Sequence, residues 1–303
     1  MFSNASNFVQ GVDLTFAVIL GSSVVLLIAI TAAMIWFVIR YNRKRSPVAS
    51  HLHGDNRIEI IWTVIPTLLV LVMFWFGWAG FKPMRDIPDD ALPVKAFAQM
   101  WQWNFEYETG KTADSLVVPV GKAVKIDLNS RDVVHSLYIP AFRIKEDVVP
   151  GRTNQMWFIA NEVDNYHIFC AEYCGDRHSN MLSKVVVLPE DEFTKWVNDT
   201  ASLVSMHPGL ALIKKNACIS CHSLEGIKIV GPSFKGIFGK TETVITDNKE
   251  REVVVDDSYI IHSLIDPNAD VVKGFNKGLM ISYKDILSDQ DMKAIVEYIK
   301  TLK

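Results

Sequence analysis

Two long apolar runs dominate the first third of the chain. Leu14 to Ile39 and Ile60 to Phe81 contain no charged residue. At about 1.5 Å of rise per residue, each can cross a hydrocarbon core of roughly 30 Å. Beyond Phe81 no apolar run reaches that length, and the period shortens. AFAQMWQWNFEY, Ala96 to Tyr107, alternates; read as one strand it sets Phe97, Trp101, Trp103, Phe105 and Tyr107 on one face. SLVVPV, AVKIDLN, VVHSLYIP, NQMWFIA, NYHIFC and SKVVVL follow, separated by Gly, Pro, Asn and Asp. Short strands at this spacing predict a small β-sandwich or barrel. PEDEFTKWVNDT reads as one amphipathic helix, and from about Ser205 the chain is helical with Gly/Pro loops. In SDQDMKAIVEYIKTL, Ser288 is the expected N-cap with Asp291 three residues on, and Met292, Ile295, Val296 and Ile299 form an apolar stripe. The expected plan is a membrane hairpin over 1–92, a β domain over 93–200 and a small α domain over 201–303, with Lys82 to Leu92 as the linker leaving the membrane.

Charge turns the hairpin into a topology. The loop between the runs holds Arg40, Arg43, Lys44, Arg45 and Arg57, while the first thirteen residues hold no Lys or Arg. The positive-inside rule places that loop in the cytoplasm and both chain ends outside. A cleaved signal peptide is the rival for the first run. Its length, the missing basic n-region and the missing small-residue cleavage site argue against it. A net charge of −3 without a long basic tract gives no indication of nucleic acid.

All four cysteines fall in two short motifs. NACISCHSLEG carries Cys218, Cys221 and His222 as C-x-x-C-H, the attachment signature of c-type haem. The two thiols add to the haem vinyl groups and the histidine is placed under the iron. Haem of this type is attached outside the cytoplasm, in agreement with the topology. A thioredoxin-like pair would need a βαβ context, and the surroundings are helical. For the second axial ligand Met206, Met280, Met292 and His262 compete. Met292 belongs to the stripe of the last helix, Met206 to a linker and His262 to a helix. Met280, in NKGLMISY, has no packing explanation and is the expected ligand, one that raises the potential.

The second motif is CAEYCGDRHSNM, Cys170 to Met181. A disulfide between Cys170 and Cys174 would leave His178, Met181 and the upstream His135 without a role. Zinc has no use for the methionine and usually takes thiols at C-x₂-C spacing. One copper in a β-sandwich takes two His, one Cys and a weak axial Met. Cys174, His178, Met181 and His135 satisfy that set, and Cys170 is the extra thiol. Two thiolates can bridge two coppers, each with one histidine and one weaker ligand.

Cys-x-Glu-x-Cys-Gly-x-x-His-x-x-Met resembles the binuclear CuA motif of subunit II of haem–copper cytochrome c oxidases. RDVVHSLYIP, MWQWNFEY, EIIWTVIPTLLV and the Met…VVV-x-Pro…Glu-Phe-x-x-Trp pattern resemble further segments of that family, so the likeness spans roughly residues 10–200. The last domain resembles small cytochromes c, in which the proline matching Pro232 packs beside the proximal histidine. Together these imply a cupredoxin-like copper domain between a two-helix transmembrane hairpin and an all-α cytochrome c domain. The resemblance implies that Cys170 and Cys174 bridge the coppers, that His135 and His178 ligate one each, and that Met181 and the Glu172 carbonyl are the weak ligands. It implies a Mg²⁺ or Mn²⁺ on the Glu172 carboxylate, electron acceptance at Trp101 and a part for Glu59 in proton uptake. For Trp101 a rung in an aromatic strand fits the pattern equally, and for Glu59 the bland alternative is an ordinary helix-N-terminal charge. Gln102 stands where the family often has tyrosine, which would alter the docking surface for a separate cytochrome c.

The implied function is the electron-transfer subunit of a bacterial cytochrome c oxidase. Electrons pass from haem c to CuA and on to haem a of subunit I, where O2 is reduced and protons are pumped. The expected location is the bacterial plasma membrane, with both redox domains outside. The expected partners are subunit I, further oxidase subunits, lipid, and a quinol:cytochrome c reductase or cytochrome c upstream, in a supercomplex or free. Two alternatives remain. A quinol oxidase subunit II would be a structural partner, typically without these ligands. A nitric oxide reductase-like complex would use the same two centres with a different catalytic subunit.

Overall fold

The computed structural model describes residues 4–48, 54–199 and 206–303. Two helices lead the chain, α1 (Val9–Arg40) and α2 (Asn56–Arg85), both long and apolar enough to cross a membrane. Each outruns its uncharged stretch. α1 begins at Val9, and α2 begins after Asp55, whose side chain accepts the Arg57 N–H at 2.9 Å as an N-cap. At its far end α2 continues through Lys82–Arg85, which corrects the expectation of a linker starting at Lys82. Pro83 sits in the last turn and lacks the N–H that would bond the Ala79 carbonyl. Its carbonyl accepts the Trp157 indole N–H at 3.1 Å, and Arg85 pairs with Glu146 at 2.9 Å. The two helices touch through the Thr15 hydroxyl, which donates to the Phe76 carbonyl at 3.2 Å.

The β domain is a two-sheet, cupredoxin-like sandwich. One sheet runs β3-β2-β1-β5-β8, from β1 (Leu92–Gln99), β2 (Gln102–Tyr107), β3 (Thr112–Ala113), β5 (Ala123–Ser130) and β8 (Asn154–Ile159). The other runs β4-β10-β9-β6-β7, from β4 (Leu116–Pro119), β6 (His135–Ile139), β7 (Ile144–Val148), β9 (Asn165–Cys170) and β10 (Leu182–Leu188). Trp103, Phe105, Ile126, Leu128, Leu137 and Phe158 fill the space between them. α3 (Glu190–Asn198) follows on the expected segment.

One expected strand is in fact a hairpin. AFAQMWQWNFEY folds back at Met100–Trp101, with Val94 opposite Tyr107 and Phe97 opposite Asn104. Phe97 therefore leaves the common aromatic face, and Val94, Ala96 and Ala98 point inward instead. No Gly, Pro or Asp marks that turn in the sequence, so the alternation reads straight through it. β7 lies in FRIKEDVV, a segment not among the expected strands.

The last domain packs α4 (Pro208–Lys215), α5 (Asp257–Ile265) and α6 (Asp289–Thr301) around Ile213, Leu264, Ile295 and Ile299. Ser288 and Asp291 form the expected capping box, and the expected stripe of α6 is buried. α4 crosses α6 so closely that a Cβ on Gly209 would lie 2.1 Å from the Ala294 carbonyl oxygen. Besides helices this domain holds a small sheet: β11 (Thr241–Thr246) and β12 (Lys249–Val254) pair as a hairpin, and β13 (Val271–Val272) joins β11. Asp247 and Asn248 take φ of 47° and 63° in its two-residue turn, the left-handed pair such turns require. The boundary expected at 200/201 lies outside the described residues.

Candidate copper and haem sites

Three elements converge on the copper motif. β6 begins at His135, β9 ends at Cys170, and the following loop carries Glu172 and Cys174 into a 3-10 turn with His178. His135 is fully buried; its Nδ1 lies 3.8 Å from the Cys170 Sγ and its Nε2 2.8 Å from Asp132 Oδ1. The two Sγ atoms stand 3.8 Å apart, and both thiols are free. Cys174 Sγ lies 3.5 Å from His178 Nδ1 and 3.8 Å from Met181 Sδ, and Met181 is fully buried. The Glu172 carbonyl is 3.2 Å from Cys170 Sγ. The Glu172 carboxylate points outward, 3.9 Å from Lys145 Nζ. All six ligand positions read from the sequence are thus gathered at one end of the sandwich.

The two thiols are unequal without a cation. At Cys170, burial is outweighed by hydrogen bonding to His135 and to the backbone, which pulls the thiol down to about 6. At Cys174, burial and the neighbouring Cys170 charge push it up to about 12. His135 is raised, its burial outweighed by Asp132 and Cys170. The protein therefore stabilises one thiolate by itself. A second thiolate 3.8 Å away needs added positive charge, which suits a bridging pair of coppers.

The C-x-x-C-H pair has the opposite character. Burial pushes Cys218 up to about 12 and Cys221 up to about 11, the latter against the pull of Arg177. A neutral thioether suits such a place better than a thiolate metal ligand or a reactive redox pair. The ring of His222 is held on both sides. Its Nδ1–H donates to the Pro232 carbonyl at 2.7 Å, leaving Nε2 for iron, and the ring stacks on Phe234 at 4.6 Å. A Cβ on Gly231 would lie 2.5 Å from the ring, so only glycine fits there. Burial lowers the His222 pKa, which favours the neutral, ligating imidazole. The cavity beside it is lined by Cys218, Cys221, His222 and Met280, whereas Met292 is buried in the core.

The two sites share a wall. Gln99 and Met100 of the β1–β2 turn line the haem-side cavity, and the Met100 carbonyl is 4.0 Å from Cys221 Sγ. The next residue, Trp101, is 7% exposed and donates its indole N–H to the Cys174 carbonyl at 3.1 Å. Gln102 accepts the Ser220 hydroxyl at 2.7 Å. Arg177 donates to the Ser220 carbonyl at 3.0 Å, Gln99 to the Tyr283 hydroxyl at 2.8 Å, and Arg131 to Asn216 Oδ1 at 3.1 Å. Nothing in the sequence marks Met100, Arg131 or Tyr283 as site residues. They were found only when the two domains came together.

Three family profiles cover most of the chain: "Cytochrome C oxidase subunit II, transmembrane domain" over residues 1–77, the "periplasmic domain" of the same subunit over 110–188, and "Cytochrome c" over 207–303. A cytochrome c oxidase subunit 2 from Alkalihalophilus pseudofirmus is 33% identical, over 94% of this chain and 86% of that protein. This chain belongs to the cytochrome c oxidase subunit 2 family. The subunit 2 of Bacillus sp. PS3 is 30% identical over 87% of this chain and 79% of its own length. A crystal structure of the periplasmic domain of subunit II of cytochrome oxidase from Bradyrhizobium japonicum is 29% identical; it matches 39% of this chain and 99% of its own, with a TM-score of 0.37. Membership makes this subunit 2 an electron-transport component of a membrane-bound oxidoreductase complex that includes subunit I. It also brings copper and haem c as the expected cofactors. The remaining sequence-named residue, Glu59, lies exposed in the first turn of α2, far along the chain from both centres.

Proposed function

We propose that this subunit 2 takes electrons on a haem c and hands them through a binuclear CuA centre to haem a of subunit I, where O2 is reduced to water and protons are pumped. The reading assigns Cys218 and Cys221 to the haem vinyl groups and His222 and Met280 to its iron. It assigns Cys170 and Cys174 to both coppers, His135 and His178 to one each, and Met181 and the Glu172 carbonyl as weak ligands. Held by these residues, the haem and the copper pair would supply one-electron transfer. The chain's own part is to hold them close and dry. Met100 and Trp101 separate the haem-side cavity from the copper motif by a single turn, and Trp101 ties that turn to the Cys174 carbonyl. That shared wall carries the proposal.

The same reading puts the loop with Arg43, Lys44 and Arg45 in the cytoplasm and both redox domains outside. It divides the chain into 1–92, 93–200 and 201–303. Glu172 would offer its outward carboxylate to Mg²⁺ or Mn²⁺ at the subunit I contact, and Glu59 would assist proton uptake. A quinol:cytochrome c reductase or a cytochrome c would supply electrons. Because Gln102 is covered by the haem domain through Ser220, a soluble donor would meet the haem domain and not the copper site. Purified holoprotein should contain two coppers per covalent haem and give a mixed-valence copper spectrum by electron paramagnetic resonance. One copper with a single-ion spectrum would overturn the binuclear assignment.

A further inference from the structure

Asp132 is nearly covered, its side chain 4% exposed, and it touches both sides of the wall. Oδ1 lies 2.8 Å from His135 Nε2 and accepts the Val133 N–H at 2.7 Å. Oδ2 accepts the backbone N–H of Met100 at 2.7 Å. The preceding residue, Arg131, lies over the Phe97 ring at 4.9 Å and reaches Asn216, two residues before Cys218. The Val133 contact is what a local turn cap would make. The Met100 contact is not local: it spans 32 residues and goes to the residue that lines the haem-side cavity.

We infer that Asp132 is a positioning residue shared by the two redox sites, its two oxygens setting the copper-side histidine and the haem-side backbone together. The inference rests on the proposed function and adds a residue to it. On the copper side, Nε2–H directed at a carboxylate leaves Nδ1 facing the thiols, fixes the ring and makes it a stronger ligand. On the haem side, the held N–H fixes Met100 against Cys221. Asparagine has the size of aspartate, but its amide nitrogen is a donor. It can accept from His135 or from Met100 in this arrangement, not from both.

The test uses the full-length, detergent-solubilised holoprotein. The wild type is examined first; if it holds no binuclear copper, the functional reading fails and Asp132 is not at issue. In Asp132→Asn, copper affinity should fall roughly 10–100-fold, as for other lost partners of ligating histidines. In the loaded fraction the copper potential should rise, because a negative charge beside the oxidised centre is gone, and the copper hyperfine pattern should change. Haem-to-copper transfer after photoreduction of the haem should slow. Asp147→Asn removes a half-exposed carboxylate that bonds Ser136, and should leave all four quantities unchanged. Wild-type potential, hyperfine pattern and transfer rate in Asp132→Asn would overturn the inference. If that variant does not accumulate, paramagnetic NMR of the wild type decides: slow solvent exchange of the His135 Nε2–H supports the contact, and exchange as fast as that of His178 overturns it.

Discussion

Met280 and Met292 differ in where they stand around the haem-side cavity, and the proposed ligand role falls on Met280. Met280 sits in the cavity wall with His222, whereas Met292 is 3% exposed within the core of the last domain. Met280→Ala should shift the haem potential downward and change its axial-ligand spectrum. Met292→Leu, close in volume, should leave both in place and cost less than about 1.5 kcal/mol of stability. Optical redox titration of the two variants reads the difference, and the reverse pattern would move the ligand to Met292. The two cysteine pairs divide in a similar way. Hydrogen bonds from His135 and the backbone favour a thiolate at Cys170, whereas burial prevails at Cys218 and Cys221 and keeps them neutral.

At the scale of elements, the small sheet of the last domain has its own electrostatic anchor. Asp270 is buried under β11 and β12, where the Thr246 hydroxyl and the Arg251 guanidinium hold it. Burial opposes its ionisation, but those two partners outweigh burial and lower its pKa. A carboxyl with a folded-state pKa below its unfolded value of about 3.9 stabilises fully above that value and loses the contribution as pH falls through the folded pKa. The thermal stability of the haem domain should therefore fall as the pH drops below about 4. Asp270→Asn should be less stable than wild type at pH 7 and should show a shallower acid dependence. A parallel pH profile in variant and wild type would remove Asp270 from the account.

For the whole molecule, the decisive feature is a polar interface between the copper and haem domains. Arg131, Arg177, Gln99 and Gln102 reach Asn216, Ser220 and Tyr283, and Asn104 donates to the Lys215 carbonyl at 3.1 Å. Each such bond contributes on the order of 1 kcal/mol, more where a charge is involved, so their number sets how firmly the haem domain sits. In Arg131→Ala/Arg177→Ala, the iron–copper distance distribution from pulsed electron resonance should broaden and haem-to-copper transfer should become heterogeneous, while copper content stays at the wild-type value. A distribution as narrow as wild type would show that apolar contact alone fixes the arrangement. The copper domain is seated on the membrane hairpin by similar means, Asp13 of α1 with Arg143 at 2.8 Å and Pro83 of α2 with Trp157.

The two apolar runs, the alternating strands and the capped last helix are legible in the sequence because each follows from a local period or a local hydrogen bond. The same holds for the copper and haem motifs, most of whose candidate ligands fall within a few residues; His135 and Met280 lie farther along the chain and are named from the donor set the chemistry needs. The turn at Met100–Trp101 was not legible, since alternation continues through it and no turn residue interrupts. Nor were Asp132, Arg131 and Tyr283, whose roles depend on contacts with residues far away in sequence. Sequence by itself named the candidate ligand sets and determined the three-part plan. Only the tertiary structure decided that the two centres share a wall, because domain docking is set by surface complementarity between distant segments and leaves no period to read.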